Sequence, residues 1–393
     1  MWRFAFHGDA SDARQLLVVV TGTMITVTSL VFALTVVTLQ IASTQFSPRL
    51  LRTFLRDAGT QLVLSGFVGT VSYSLAGLFT VGTGTAYVPR LGISAALAFS
   101  LMSVGLLVYY IGHITNAIRI DTIMRTVEAD TRRILRRDHR LVDGAEADPD
   151  FAPIIIAPPH AVTVSAPTDG YVQGVRPGLL PLAIRKRVTI ELVQLVGYYV
   201  VAGRQLAHVW SDDGTPLKRT TLGAIAALID INPERRIERD VGLGLRQLVD
   251  ITNRAMSTGQ NDPYTGTQAV HHLTSLLVDG SRRSFSTIEL HDDRQNLRVV
   301  APIMSFPTHL KVVCSHIRQG GLERHPRVTL ELLRMLGALA ESAVGKVRIH
   351  AVRHEAELVM ADATRMILAQ DDLDEVLHLG KDVLRALDQR DAE

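Results

Sequence analysis

The chain has 393 residues, enough for two or three domains, and its 41 Lys and Arg nearly balance its 39 Asp and Glu. This balance gives no basic field that would attract nucleic acid, so we expect no nucleic-acid partner. The apolar content of 47% is high for a soluble protein, and the excess lies in the first third of the chain. The single cysteine, Cys314, excludes an internal disulfide, and its apolar neighbours predict a buried structural thiol.

The first long apolar stretch carries no charged residue from Gln15 to Pro48. A helix needs roughly 20 residues to cross a bilayer, and a core helix of a soluble domain would show a charged face. We therefore predict a first membrane span over about residues 16–41. The stretch is too long for the apolar part of a cleavable signal peptide, so we expect it to stay in the membrane.

Two further uncharged runs predict spans over about residues 62–81 and 91–114, which makes residues 1–118 a helical membrane domain. Arginines are frequent between the first two spans and after the third, whereas the link between spans two and three has Arg90 alone. Because positive loops stay inside, we expect a multi-pass inner-membrane protein whose region after the third span is cytoplasmic. The N-terminus would then lie outside.

The polar residues of the first span allow two interpretations. Thr21, Thr28 and Thr35 recur every seven positions and therefore share one helix face. Hydroxyl residues help membrane helices to pack closely, but the same face could line a water-filled path in an oligomer. The candidates for lining such a pore are Thr28, Thr35, Thr38, Gln40 and Gln45.

Residues 119–159 predict a helix that continues out of the membrane over Ile118–Arg140, followed by a linker rich in acidic residues and proline. Residues 160–212 then alternate as strands. The pieces APTDGYV and VGYYVVAGRQL resemble the two strand–turn pieces of a biotinyl/lipoyl-like β-hammerhead. The resemblance implies a small β-barrel, and Lys186 lies beside a predicted short helix instead of at the hairpin tip that a carrier needs.

Residues 213–393 predict a mostly helical domain with a β-hairpin near 284–300. Apolar spacings of three and four residues at the C-terminal end indicate a helical bundle. The predicted fold is thus an α-helical membrane domain of three spans followed by an α+β cytoplasmic region, a small β-barrel and then a helical bundle.

The segment RQLVDITNRAMSTGQNDPYT combines polar and charged residues around a predicted helix–turn–helix. One interpretation gathers them into a site for a small ion or ligand; the other is an ordinary helical ion pair and a structural turn. The ligand-site candidates are Arg246, Asp250, Asn253, Asn261, Asp262 and His271. Among the fourteen histidines, His350 and His354 stand four residues apart and could bind a metal together, but such a pair alone is more often a solvated helix face, because catalytic zinc normally takes three protein ligands. We therefore expect no metal and no cofactor.

Two blocks, LQIASTQFSPRLLRTF and ERRIERDVGLGLRQLVDITNRAMSTGQNDPYT, resemble the DUF2254 family of predicted bacterial membrane proteins, whose function is undefined. The family pattern begins with an additional span that has no counterpart here. We therefore expect a short form, or a start codon set downstream; a lost first span would also explain an N-terminus outside.

Two functions follow as hypotheses. The first is an oligomeric ion channel or pore whose cytoplasmic domain forms a vestibule or gate. The second is a membrane-anchored cytoplasmic domain that senses a ligand or serves as a scaffold, without conductance. No catalytic arrangement can be assembled from the sequence, so we do not expect an enzyme. The expected partners are the lipid bilayer, further copies of the chain, and a small ion or ligand.

Overall fold

The computed structural model describes residues 6–45, 58–81, 88–117, 119–142, 150, 156–236, 240–320 and 325–392. The chain divides into two compact units, Met1–Ile123 and Met124–Glu393. The arginine-rich link between the first two spans and most of the predicted linker before residue 156 lie outside the described residues.

Three helices of the first unit, α1 (Ala10–Gln45), α2 (Ala58–Thr80) and α3 (Arg90–Ala117), are long and apolar enough to cross a membrane. They confirm that each of the three predicted spans is a long apolar helix. Helix α1 begins before residue 16 because Asp9 and Asp12 each accept a hydrogen bond from the backbone N–H of the other, which caps the first turn.

The inner faces of these helices form an apolar core around Val31, Val63, Phe67 and Tyr110, all fully buried. Many large apolar side chains point outward instead. Phe79 is 86% exposed, an arrangement that water would penalise but lipid tails would not. The exposed apolar surface is therefore what a membrane-spanning unit requires.

Small and hydroxyl residues mark the closest helix contacts. A Cβ atom built at Gly66 would lie 2.5 Å from a Leu106 methyl, so α2 and α3 could not approach as closely with a larger residue there. The hydroxyls of Thr70 and Ser103 lie 3.0 Å apart in the same interface. These contacts follow the usual pattern of membrane helix packing.

Helix α4 spans Ile120–Asp138, and most of it belongs to the second unit. It is separate from α3, which ends at Ala117. The helix predicted over Ile118–Arg140 is therefore present over Ile120–Asp138, but it begins as a new helix and does not continue α3. The apolar face of α4 is buried, including Met124 and Leu135, whereas Arg133 stays exposed. This division follows from its helical spacing of apolar residues.

The second unit combines strands with helices. Its strands are β1 (Val162–Ser165), β2 (Gly170–Val175), β3 (Val188–Leu192), β4 (Tyr199–Val200), β5 (Gln205–Ser211), β6 (Ile229–Asn232), β7 (Ile288–His291) and β8 (Leu297–Ala301). Its helices after α4 are α5 (Leu179–Lys186), α6 (Arg219–Leu228), α7 (Val241–Met256), α8 (Pro263–Gly280), α9 (Phe306–Gln319), α10 (Pro326–Ser342), α11 (Lys346–Met366) and α12 (Gln370–Ala392).

The strands form a five-stranded sheet of order β1-β5-β3-β8-β7 and a three-stranded sheet of order β4-β2-β6. Strands β3 and β8 are parallel, and the other pairs are antiparallel. Side chains from both sheets share one core with α5 and α6, including Val172, Ile190, Leu182 and Ile225.

The small barrel predicted for residues 160–212 is not found in the described part of the chain, where neither sheet closes. The reason is long-range pairing. Strand β3 pairs with β8, and β2 pairs with β6, so the predicted β segment completes its sheets with strands from residues 213–393, the region predicted to be mostly helical. Lys186 lies in the last turn of α5.

The predicted hairpin near residues 284–300 is present as β7 and β8, and the predicted C-terminal helices are present as α10, α11 and α12. Helix α6 ends at Leu228, because Ile229 and Ile231 enter β6 and pair with β2. The sequence did not single out α9, which packs against α7 and α11.

Candidate functional site

A cavity of about 540 Å³ lies in the second unit. The end of α4, strand β2, the start of α7, strand β7 and the first turn of α9 all contribute to its wall. Its size falls within the usual range of small-molecule pockets, roughly 300–1,000 Å³. It is therefore a place in this unit where a small ligand would fit.

His309 occupies the polar end of the cavity. Helix α9 presents it one turn after Ser305, which caps the helix by accepting a hydrogen bond from the Thr308 N–H. His309 is only 7% exposed, yet neither ring nitrogen has a hydrogen-bond partner among the described residues. Burial lowers the pKa of His309 to about 3, so the neutral ring offers one donor and one acceptor.

His139, at the end of α4, forms a second buried imidazole of the wall. Its Nδ1 lies 2.9 Å from the carbonyl oxygen of Ser284, so Nδ1 carries the proton and donates it. The ring packs on Phe285 with centroids 4.2 Å apart. Burial lowers the pKa of His139, and its Nε2 is therefore left as an acceptor.

The start of α7 brings backbone N–H groups to the same end. Asp240 caps the helix by accepting from the Leu243 N–H at 3.0 Å, and Arg235 binds both carboxylate oxygens at 2.6 and 2.9 Å. The first-turn N–H groups of Val241 and Gly242 have no intrahelical acceptor. A Cβ built at Gly242 would lie 3.1 Å from His309 Cε1, so glycine lets the helix start and the imidazole meet.

Gln173 fixes the segment that leads into α7. Its Oε1 accepts from the Arg236 N–H at 3.1 Å, and its Nε2 donates to the Glu234 carbonyl at 3.3 Å. Gln173 is buried in strand β2. The amide therefore holds the approach to the helix start in place.

Most of the remaining wall is apolar and includes Val175, Leu180, Ile288 and Ile303. The charged residues of the wall are held in ion pairs. Arg137 binds Asp138 through two contacts of 2.6 Å, and Arg176 lies 3.3 Å from Asp230. An apolar wall with a few convergent polar groups at one end suits a small amphipathic molecule.

Two of the ligand-site candidates, Arg246 and Asn253, contact His316, and a third, Asp250, pairs with Arg246; none of them lines this cavity. Arg246 Nε bonds Asp250 at 3.1 Å, and its Nη1 lies 2.5 Å from His316 Nε2. Asn253 Nδ2 donates to the His316 carbonyl at 3.0 Å. The Arg246 and Asp250 contact has the ordinary spacing of a helical ion pair, and the whole group joins α7 to α9.

The other ligand-site candidates lie in the turn before α8 and on α8 itself. Asp262 caps α8, and hydrogen bonds from the Thr265 hydroxyl and N–H lower the pKa of its carboxyl. Asn261 takes a left-handed backbone conformation, with φ of 46°. His271 Nε2 lies 2.8 Å from Glu331. No group of three or more metal-ligating side chains occurs within the described ranges.

Among the pore-lining candidates, Thr28 and Thr35 are half-buried, and each hydroxyl donates to the carbonyl one turn earlier. The Tyr110 hydroxyl of α3 lies 2.6 Å from Thr35 Oγ1 and can donate to it. Thr38 is half-buried and Gln40 is exposed. The side chain of Gln45 lies outside the described residues.

Sequence reasoning missed the cavity residues His139, Gln173 and His309. Nothing in their local sequence marks them, because each stands in an ordinary strand or helix pattern. The sequence could have indicated only the starts of α7 and α9, because at each start a polar N-cap residue, Asp240 or Ser305, precedes an apolar helical run.

The family to which the sequence is similar agrees with the three apolar helices. A family model described as predicted membrane protein (DUF2254) matches residues 1–338. The chain is 39% identical over 376 residues to the uncharacterized protein Rv1290c of Mycobacterium tuberculosis, covering 94% of this chain and 72% of the relative. The uncharacterized protein Mb1321c of Mycobacterium bovis matches with the same identity and coverage. No solved structure matches the chain. The chain therefore belongs to the DUF2254 family of predicted membrane proteins.

Proposed function

We propose that this membrane protein is an anchored ligand-binding protein. The three spans hold the chain in the inner membrane, and the second unit binds a small amphipathic molecule in its cavity. The observation that carries the proposal is His309, a buried imidazole without a hydrogen-bond partner at the polar end of a cavity of about 540 Å³. A ring nitrogen without a protein partner in the wall of a cavity is free to hydrogen-bond a ligand that enters it.

We place the second unit on the cytoplasmic side. The charge distribution supports this placement, because the sequence contains seven arginines between residues 119 and 140, directly after the third span. Such segments stay on the cytoplasmic side of the membrane. The ligand would then be a molecule of the cytoplasm or of the inner leaflet.

The test is ligand-dependent thermal unfolding of the full-length protein in detergent, against a set of small amphipathic acids, alcohols and amines. A ligand that binds only the folded state raises Tm by mass action. Leu180→Trp, which fills the cavity, should abolish the shift, and Ile184→Trp on the exposed side of the same helix should keep it. A shift retained in Leu180→Trp would contradict binding in this cavity.

A second candidate is the oligomeric ion channel, supported by the outer face of α1. Gly22, Thr26, Ser29 and Gln40 are exposed there, and their spacing keeps them on one side of the helix. Several copies of the chain could gather these residues around an axis. The half-buried Thr28 and Thr35 would then support the helix from inside the subunit.

Ion flux from liposomes tests this candidate. We expect a conducting protein to change its rate or selectivity on Gln40→Leu, with Leu62→Ile on the exposed face of α2 as the matched control. Sealed liposomes that contain folded protein in both orientations and show no flux would rule the channel out and leave ligand binding as the working function.

A further inference from the structure

We propose that the cavity selects a carboxylate: an apolar monocarboxylate whose head group binds at the start of α7 and whose chain lies along the apolar wall. This inference rests on the proposed ligand-binding function and names the chemical class of the ligand. It depends on which groups meet at the polar end of the cavity.

The N–H groups of Val241 and Gly242 are the first donors of a helix of 16 residues, and both residues line the cavity. Such N–H groups carry the positive end of the helix dipole and attract anions. A helix start alone does not make a binding site. Here His309 supplies the second observation, since it is more than nine-tenths buried, lacks a hydrogen-bond partner and lies against Gly242.

The charges around this point favour one negative charge over two. Arg235 neutralises Asp240, the acidic residue nearest to the helix start, through two hydrogen bonds. Asp138 also faces the cavity but is bound by Arg137. Two backbone N–H groups and one neutral imidazole N–H match the two oxygens of a carboxylate. A phosphate dianion would bring more charge beside two carboxylates than these donors can stabilise.

The apolar part of the ligand follows from the rest of the wall. Val175, Leu180, Ile288 and Ile303 would bury an aliphatic or aromatic group against the core of the sheets. Since the wall charges other than the helix start are already paired, a second charged group on the ligand would gain little. The ligand class is therefore a monocarboxylate with one apolar end.

The experiment is equilibrium dialysis of full-length protein in nanodiscs, with empty nanodiscs as the blank, against octanoate, octanol and octylamine. We expect saturable octanoate binding that is at least about tenfold tighter than octanol binding, the size of one or two lost charge-assisted hydrogen bonds. His309→Phe removes the imidazole N–H but keeps a ring, and Gly242→Ala places a methyl group at the head-group position. Both should weaken octanoate to the level of octanol and leave octanol unchanged.

Gly223→Ala is the matched control, because a Cβ there meets nothing within 4 Å. Each variant is used only if its Tm stays close to that of wild type. Equal affinity for octanoate and octanol, or tighter octylamine binding, would overturn the carboxylate inference and leave the ligand-binding function standing. If none of the three compounds binds saturably, both the carboxylate inference and the ligand-binding function are overturned for apolar ligands of this size.

Discussion

Arg348 and Asp150 form an ion pair that is almost completely withdrawn from water. Arg348 is fully buried, its Nε lies 2.6 Å from Asp150 Oδ2, and its Nη2 lies 3.1 Å from Oδ1. The guanidinium also donates to the carbonyls of Ser281 and Arg283 at 2.8 Å each, and it lies 4.9 Å from the centre of the Phe306 ring. One arginine of α11 thus fastens residue 150 to the segment that follows α8.

Arg348→Met should lower the free energy of unfolding by about 3–5 kcal/mol, because it leaves a buried carboxylate without its cation. Arg353→Met is the matched control on the same helix. The partners of Arg353, Asp388 and Asp391, are partly exposed, so this substitution should lower the free energy of unfolding by less than about 1 kcal/mol. Urea unfolding in detergent measures both, and equal losses would contradict a special role for the buried pair.

Gly244 of α7 lies directly against Thr131 of α4. A Cβ built there would lie 1.9 Å from Thr131 Oγ1, and Thr131 is fully buried. We expect Gly244→Ala to destabilise by about 1–3 kcal/mol through overpacking. Thr131→Ala in the same chain should recover part of the loss, because it removes the clashing hydroxyl.

Gly223→Ala provides the control for this prediction. Gly223 is an exposed residue inside α6 with free space around it, so alanine should stabilise by about 0.5–1 kcal/mol. Thermal unfolding of the three variants compares them. A Gly244→Ala protein as stable as wild type would show that the two helices can separate without loss.

His309 predicts acid sensitivity of the second unit. Its pKa is lowered from 6.5 to about 3 in the folded state, so the unfolded state binds the proton more readily. The contribution to stability is therefore complete above about pH 6.5 and is lost as the pH falls toward 3. The slope should reach about 1.4 kcal/mol per pH unit for this one group.

His309→Phe should flatten this part of the pH profile and change stability little near pH 8, since the ring nitrogens have no partner to lose. His378→Phe, whose side chain is 77% exposed, is the control and should keep the wild-type slope. Unfolding free energies measured from about pH 4 to 8 test the prediction. An unchanged slope in His309→Phe would contradict it.

Glu355 predicts the opposite pH dependence. Burial raises the pKa of this α11 carboxyl; its Oε2 has no hydrogen-bond partner in the described structure, and Arg318 Nε lies 3.9 Å away. The folded state therefore holds the Glu355 proton more tightly than the unfolded chain does. This contribution to the stability of the protein is complete below the unfolded pKa and is lost as the pH rises through the folded pKa. Glu355→Gln should therefore stabilise the protein at about pH 8 and have little effect near pH 4.

Glu357→Gln, at an exposed position of the same helix, should leave stability unchanged at both pH values. The measurement is the free energy of unfolding at about pH 8 and pH 4 for the three proteins. A loss of stability in Glu355→Gln at the higher pH would mean that the charge is needed by Arg318, which also binds Asp362 at 2.5 Å.

Thr35 and Tyr110 test the packing role of the threonine face. Tyr110→Phe and Thr35→Val each remove one side of the 2.6 Å contact between α1 and α3. Hydrogen bonds between membrane helices contribute about 0.6 kcal/mol on average and at most about 1.7. A double-mutant cycle in mixed micelles should give a coupling energy in this range. A coupling energy of zero would contradict a packing role for the contact between Thr35 and Tyr110.

Some features follow from sequence because their causes are local. The length and lack of charge of α1 predict a span wherever the helix packs, and Asp262 before Pro263 predicts the start of α8. The alternation at residues 162–211 likewise predicts strands. These signals act over a few residues, so the chain order alone carries them.

Only the tertiary structure decided which distant segments contact each other. The alternating pattern of β3 could not show that β8 would lie parallel beside it, and so an open sheet formed in place of the predicted barrel. The repeat of Thr28 and Thr35 placed them on one face, but only the position of α3 set Tyr110 against Thr35. The cavity is the clearest case. His139, Gln173, Gly242 and His309 meet only because pairing and packing between distant segments bring them together, and no local pattern records such contacts.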